Sequence, residues 1–250
     1  MFESLQMAPP DAILGLTELF RKDPNPNKIN VAMGVYRDES GTTPILDCVK
    51  QAETRLLAEE SSKSYLGMAG LEGLEGLVQD LVFGQRPADG RAVTLQTPGG
   101  TGALRVAADF LRQKVGAERI WVSSPTWANH SNIFKAAGLE VDSYCYLKED
   151  SLELDFTALT DSLAGIPAGD VVCLHACCHN PTGVDPSAEQ WEQIAEICQQ
   201  NNLLPLVDFA YQGFGDGLSE DRTAIRCFHE RESEMLICSS FLKNFGLCCE

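Results

Sequence analysis

The 250-residue sequence is 44% hydrophobic and 22% charged, a globular balance that excludes disordered and fibrous classes. Its 36 acidic residues against 19 Lys and Arg leave a formal charge of −17, which repels phosphate backbones and anionic lipid and argues against nucleic acid or a membrane as partner. No run approaches the roughly 18 uninterrupted apolar residues of a spanning helix, and MFESLQMAPP lacks the basic region and apolar core of a signal peptide.

Along the chain, Asp11 before Ala12–Arg21 has the form of a capped helix, with Ile13, Leu16 and Phe20 toward one face. A loop, DPNPNK, and a short strand at Ile29–Met33 follow. Val49, Ala52 and Leu56 predict a helix over Cys48–Glu60, and LEGLEGL at 71–77 reads as a helix start rather than a repeat. From residue 90 onward apolar strand-like runs recur at Ala92–Gln96, Ile120–Ser123, Val141–Tyr146, Val171–His175, Leu203–Val207 and Met235–Cys238. Helical segments separate most of them. One carries Leu104, Ala107, Ala108, Leu111 and Val115; another carries Trp191, Ile194, Ala195 and Cys198, with Asp185 expected as N-cap and Pro186 in the first turn. Continuous apolar strands alternating with helices predict an α/β fold, a mostly parallel sheet with helices on both faces.

The 10 cysteines lie mostly inside apolar runs, where a free thiol behaves as a small hydrophobe, and point to a reducing, cytoplasmic setting. Cys173, His175, Cys177 and His179 resemble a zinc ligand set. At alternate strand positions four residues spread over about 20 Å, whereas zinc ligands converge at about 2.0–2.3 Å. A packed strand face is the better reading, and no metal is expected.

Parallel sheets bind ligands beyond the carboxyl ends of their strands, so the residues that follow each strand matter most. Thr97-Pro98-Gly99-Gly100-Thr101-Gly102 leads into a helix, where small residues and a helix N-terminus favour an anion. It is neither a Walker loop nor a dinucleotide fingerprint, because Arg105 stands at the last glycine position. Trp127, in SPTWANH, is either a stacking platform for a flat ring or simply core. Asn-Pro-Thr-Gly at 180–183 is a sharp turn that presents Asn180. Asp208 ends an apolar strand and needs a cationic or protonated partner, with Tyr211 three positions on. Lys243, between Leu242 and Asn244, is placed where burial would make it a nucleophilic amine. Anion cradle, stacking ring, carboxylate, phenol with amide, and Schiff-base lysine together meet the requirements of pyridoxal 5′-phosphate.

With these residues in view, the sequence resembles the aspartate/aromatic aminotransferases, pyridoxal-phosphate enzymes of fold type I. The resemblance runs through GVYRDE at 34–39, SYLG at 64–67, QTPGGTGALRVAADF at 96–110, SSPTWANH at 123–130, CCHNPTG at 177–183, DFAYQGF at 208–214 and SSFLKNFGL at 239–247. It implies an N-terminal arm at 1–14, the N-terminal part of a small domain at 15–45 and a pyridoxal-phosphate-binding large domain at 46–250. It implies Lys243 as the Schiff-base lysine and proton shuttle, Asp208 as the holder of a protonated pyridine nitrogen, and Tyr211 and Asn180 as partners of the ring O3′. Trp127 would stack on the ring; Gly100, Thr101 and Ser240 would hold the phosphate, with Tyr65 reaching in from the second subunit of a homodimer. Gly34 and Asn180, with Trp127, would meet the substrate. His130 and His175 would stand behind Asp208, although by the residues alone either is a core histidine. The implied reaction is ping-pong transfer of an amino group from aspartate or an aromatic amino acid to 2-oxoglutarate.

Two departures qualify the resemblance. Leu242 replaces the family's usual Ser before the lysine. The family pattern also continues past Lys-Asn-Phe-Gly-Leu with Tyr-Asn-Glu-Arg, whereas Cys248, Cys249 and Glu250 stand here. The resemblance therefore implies that a phosphate-clamping Arg, the arginines for substrate carboxylates, most of the small domain and one interior strand are not in this sequence. A chain ending at Glu250 is expected to show little or no transaminase activity. The alternative is a catalytically silent fragment retaining at most weak cofactor binding and dimerisation.

Overall fold

Apolar runs bounded by turns build the sheet, and the computed structural model describes them within residues 16, 19–29, 38–87 and 90–247. Gly34, most of the helix expected at 12–21 and most of the strand expected at 29–33 lie outside the described residues. The chain divides into two compact units, Met1–Ile45 and Leu46–Glu250. In the first, residues 16 and 19–22 are helical. Lys28 Nζ donates to the carbonyls of Phe20 and Asp23, 2.7 Å to each, and lies over the Phe20 ring.

The second unit begins with α1 (Asp47–Glu59) and α2 (Leu74–Phe83), the latter flanked by Gly73 and Gly84, both in the left-handed region. Next comes α3 (Gly99–Phe110), which runs into a π-helical turn at Leu111–Val115. The strands are β1 (Arg119–Ser124), β2 (Glu140–Cys145), β3 (Val171–His175), β4 (Leu204–Phe209) and β5 (Leu236–Ser239). Between and after them lie α4 (Ala128–Ala136), α5 (Phe156–Ala164), α6 (Ala188–Gln200) and α7 (Thr223–Glu230). All pairings are parallel, in the order β2-β1-β3-β4-β5.

Strand alternation sorts the core into two layers, one on each face of the sheet. Ile120, Val122, Val171, Cys173 and Leu206 pack with Leu104, Ala108 and Leu111 of the α3 segment and with Ile133 and Phe134 of α4. Val172, Leu174, Val207 and Phe209 pack with α5, α6 and α7 through Leu159, Leu163, Trp191, Ile194, Ile225 and Phe228. All five residues of β3 are buried, which is why that stretch reads as a continuous apolar run.

Two sequence expectations fail for identifiable reasons. Ala92–Gln96 is not a strand: Val93 and Leu95 are exposed, and no described strand lies beside the run to form a ladder. Its backbone turns elsewhere, Gln96 N–H donating to the Ala69 carbonyl and the Ala92 carbonyl accepting from Gln79. The N-cap of α6 is Ser187, not Asp185. Ser187 and Gln190 form a reciprocal capping box, and that frees Asp185 for another task.

Candidate active site

The parity of β4 decides where its carboxylate goes. Asp208 is on the same face as Leu206, toward α3 and α4, at the carboxyl end of the sheet. It lies in register with His175 of β3 on one side and Cys238 of β5 on the other. From the first turn of α4, His130, fully buried, places Nε2 2.9 Å from Asp208 Oδ2. Its Nδ1 is 2.8 Å from the Thr126 hydroxyl. An ionised carboxylate only accepts, so His130 carries its proton on Nε2, and in the neutral ring Nδ1 accepts from Thr126. Thr126, His130 and Asp208 thus form a hydroxyl–imidazole–carboxylate chain of hydrogen bonds.

His175 stacks obliquely on His130, ring centres 5.0 Å apart, and edge-on to His179 at 4.2 Å. Neither ring nitrogen of His175 has a hydrogen-bond partner among the described residues. Burial, and then the neighbouring His179 and His130, hold its pKa well below the ordinary range, so it is a neutral packing ring. Among the described residues, His130, His175 and Asp208 are the ligand-capable side chains that converge. Within the trio, His130 and Asp208 are joined by a direct hydrogen bond and His175 packs against the His130 ring. Cys173, Cys177 and His179 do not join it.

After β3 the chain turns through Cys177–Gly183. Asp185 accepts from the backbone N–H of Cys178 at 2.6 Å and of His179 at 2.8 Å. His179 is held at both nitrogens, 2.8 Å from Ser123 Oγ and 2.8 Å from Thr182 Oγ1, with Tyr146 stacked on its ring at 3.9 Å. So anchored, the turn brings Asn180 close enough to Tyr211 to act on its phenol. Burial, then the charge of Asp208, raises the Tyr211 pKa, against a lowering by Asn180. The phenol therefore stays protonated and able to donate.

The loop after β4 is tied down by Asp221, whose carboxylate accepts from the backbone N–H groups of Gly213, Gly215, Asp216 and Gly217 at 2.7–3.4 Å. A Cβ at Gly215 would come within 2.5 Å of that carboxylate. Beside Tyr211, Gln212 is buried and donates through Nε2 to the carbonyls of Leu81 and Leu218. The Gln212 carbonyl accepts from Asn244, the residue after Lys243.

The small-residue loop expected to cradle an anion lies where α3 begins against the end of β5. A Cβ on Gly100 would sit 3.2 Å from Ser240 Cβ and 3.5 Å from its Oγ. Gly99, at φ +63°, carries Leu242 in the space its Cβ would take, 2.8 Å from Cδ1. The first N–H groups of a helix lack intrahelical partners, so Gly100 and Thr101 offer donors beside the Ser240 hydroxyl. Lys243 occupies the turn just after β5 and is half-buried. Trp127, the N-cap residue of α4, meets His130 edge-on at 5.4 Å. Tyr65 is fully exposed.

The structure thus brings Asp208, His130 and His175 together, links Asn180 to Tyr211, and sets Gly100 beside Ser240. It leaves Tyr65 in solvent, and Gly34 lies outside the described residues. Asp185, His179 and Asp221 were missed as site-building residues. The signal for Asp221 was present in GFGDG, a glycine-rich loop whose bare amides call for an acceptor.

Comparison with known proteins places these features in a family. The model of "Aminotransferase class I and II" matches residues 26–249. The aspartate aminotransferase of Escherichia coli (strain K12) is 52% identical over 99% of this chain and 63% of its own length. The aromatic-amino-acid aminotransferase of Pseudomonas aeruginosa is 47% identical over 98% of this chain and 62% of its own length. A crystal structure of an aromatic-amino-acid aminotransferase from Burkholderia pseudomallei, covalently bound to pyridoxal phosphate, superposes with a TM-score of 0.96 at 40% identity. It is matched over 100% of this chain and 63% of that one. The chain therefore spans just under two thirds of the length of the relatives it matches.

Proposed function

Because the chain belongs to the class I and II aminotransferases, a family that works through pyridoxal phosphate, we propose that it moves an amino group from aspartate or an aromatic amino acid to 2-oxoglutarate by a ping-pong mechanism. The observation that carries this reading is the buried Asp208 carboxylate, bonded to His130 at the end of β4, with the Tyr211–Asn180 pair on the loops beside it. The cofactor fits the residues present. Gly100, Thr101 and Ser240 form the cradle that a Cβ on Gly100 would crowd, and would hold the phosphate. Tyr65, whose ring is exposed, would reach the phosphate of a second subunit in a homodimer.

When bound, the cofactor supplies an electron sink for the charge left as a proton leaves the amino acid's α-carbon. Asp208, hydrogen-bonded to His130, would hold a proton on the pyridine nitrogen. Tyr211 would donate from its phenol, and Asn180 from its amide, to the ring O3′. Lys243 would hold the cofactor through Nζ and would be the base that carries the proton from the α-carbon. Trp127 would cover the ring and, with Asn180 and Gly34, would meet the substrate. The segments 1–14 and 15–45 serve as arm and small-domain portion, with 46–250 as the cofactor-binding domain. The described cysteines are all free thiols, which supports a reducing, cytoplasmic setting.

The test is borohydride reduction of the protein mixed with pyridoxal phosphate, followed by peptide mass analysis. The expected result is a pyridoxyl group on Lys243 and none in Lys243→Ala; attachment elsewhere, or none, overturns the proposal. A second reading is cofactor binding without turnover. Adding aspartate or phenylalanine and then 2-oxoglutarate to the loaded protein separates the two: spectral cycling supports turnover, and a static spectrum supports the second reading.

A further inference from the structure

Away from the proposed site, the end of α2 and the side of α7 enclose a cavity of about 380 Å³, within the range of small-molecule sites, roughly 300–1,000 Å³. Its floor is apolar. Val82 and Ile225 are buried, and Phe83 lies against the His229 ring at 5.2 Å. Its wall is cationic: Arg86, Arg222 and Arg226 all line it. In a chain with 19 basic residues against 36 acidic ones, three guanidinium groups around one cavity set up a local field opposite to that of the whole protein.

The demands of these arginines are unequal. Arg86 is held by Asp80 at 2.9 Å, and Arg226 reaches Glu230, which also lines the cavity, only at 4.0 Å. Arg222 has no carboxylate partner among the described residues; its one side-chain hydrogen bond is to Ser219 Oγ, at 3.2 Å. Its guanidinium lies over Gly84, within 2.2–2.6 Å of where a Cβ would be, so the glycine that ends α2 makes the room. The negative end of the α2 dipole explains why a cation settles there. It leaves most of the five guanidinium donors unused.

We propose that this cavity binds a small organic anion with a flat apolar body, of the aryl carboxylate class. The ring rests on Phe83 and Pro87, above the buried Val82 and Ile225, and the carboxylate meets Arg222 and Arg226. Planar guanidinium forks suit a carboxylate bidentately, and an apolar floor beside them favours an amphipathic acid over an inorganic ion.

The experiment is a fluorine NMR titration of 4-fluorobenzoate against the protein, with 4-fluorobenzyl alcohol as the uncharged comparison. Saturable binding of the acid but not the alcohol is expected. It should weaken at least tenfold in Arg222→Ala/Arg226→Ala and remain unchanged in Lys243→Ala and in Arg105→Ala/Lys148→Ala, which removes two distant cations. Arg222→Lys, which keeps the charge and loses the fork, should fall between. Equal affinity in Arg222→Ala/Arg226→Ala, loss in Lys243→Ala alone, or no saturable binding overturns the proposal. Near-ultraviolet circular dichroism of each variant separates lost binding from lost folding.

Discussion

His130 and Asp208, 78 positions apart in the chain, meet at 2.9 Å through Nε2 and Oδ2. The contact crosses from the first turn of α4 to the end of β4, so it depends on β1, β3 and β4 lying side by side. Its chemical effect is to supply the donor that a buried carboxylate requires.

Removing that donor should be costly in a specific way. His130→Ala leaves Asp208 short of a charge-assisted hydrogen bond worth about 1.5–3 kcal/mol. That corresponds to a loss of roughly 10–100-fold in any step that needs the anion. The measurement is pyridoxal-phosphate affinity by fluorescence quenching as pH is varied. His130→Ala should bind more weakly at every pH tested, because Asp208 loses the donor that orients it.

Asp185 and Ser187 separate site-building from helix-building. Ser187→Ala breaks the capping box of α6 and should cost about 1 kcal/mol of stability, read by urea denaturation, with cofactor affinity unchanged. Asp185→Ala frees the amides of Cys178 and His179 and unfixes Asn180. It should lower cofactor affinity several-fold. Equal effects on affinity from the two substitutions would contradict this division.

Asp221 serves the other wall of the site. With four amides depending on one carboxylate, Asp221→Ala should destabilise the protein by about 2–4 kcal/mol. Asp221→Asn, which keeps one acceptor oxygen, should cost less. Denaturant midpoints measure both.

The imidazoles give a pH dependence whose sign follows from burial. Burial, then His130, lowers the His179 pKa to about 4, against about 6.5 in an unfolded chain. Above pH 6.5 both states hold it neutral, and its contribution to stability is intact. As pH falls from 6.5 toward 4, the unfolded chain takes up a proton that the folded chain refuses, and stability drops by up to about 3 kcal/mol. His175, lowered in the same direction by burial, adds to the slope. Denaturation at pH 7, 5.5 and 4.5 should show His179→Gln less stable at neutral pH but with a shallower decline than the parent.

The sheet and its two faces were legible because β3 and β4 are short apolar runs between turns, and burial on both faces writes itself into composition. Ala92–Gln96 has the same local signature, yet a ladder needs a neighbour, and pairing is not a local property. The Asp185 expectation failed for a similar reason: Asp and Ser cap helices about equally well, and the choice was settled by amides six and seven residues upstream. Asp208, Tyr211, Asn180 and Lys243 stood out as polar groups at the ends of apolar strands. The Thr126–His130 and Ser123–His179 contacts did not, because side-chain hydrogen bonds to histidine leave no periodic trace.

The alternation of β4 has a consequence for how the chain avoids misfolding. A slip of one residue turns every side chain of a strand to the opposite face. In β4 that would carry Asp208 from His130 into the layer formed by Trp191, Ile194, Ile225 and Phe228, where an unpaired carboxylate is strongly disfavoured. The charge that gives the site its chemistry is therefore also the strand's register mark, penalising the wrong alignment before any ligand arrives.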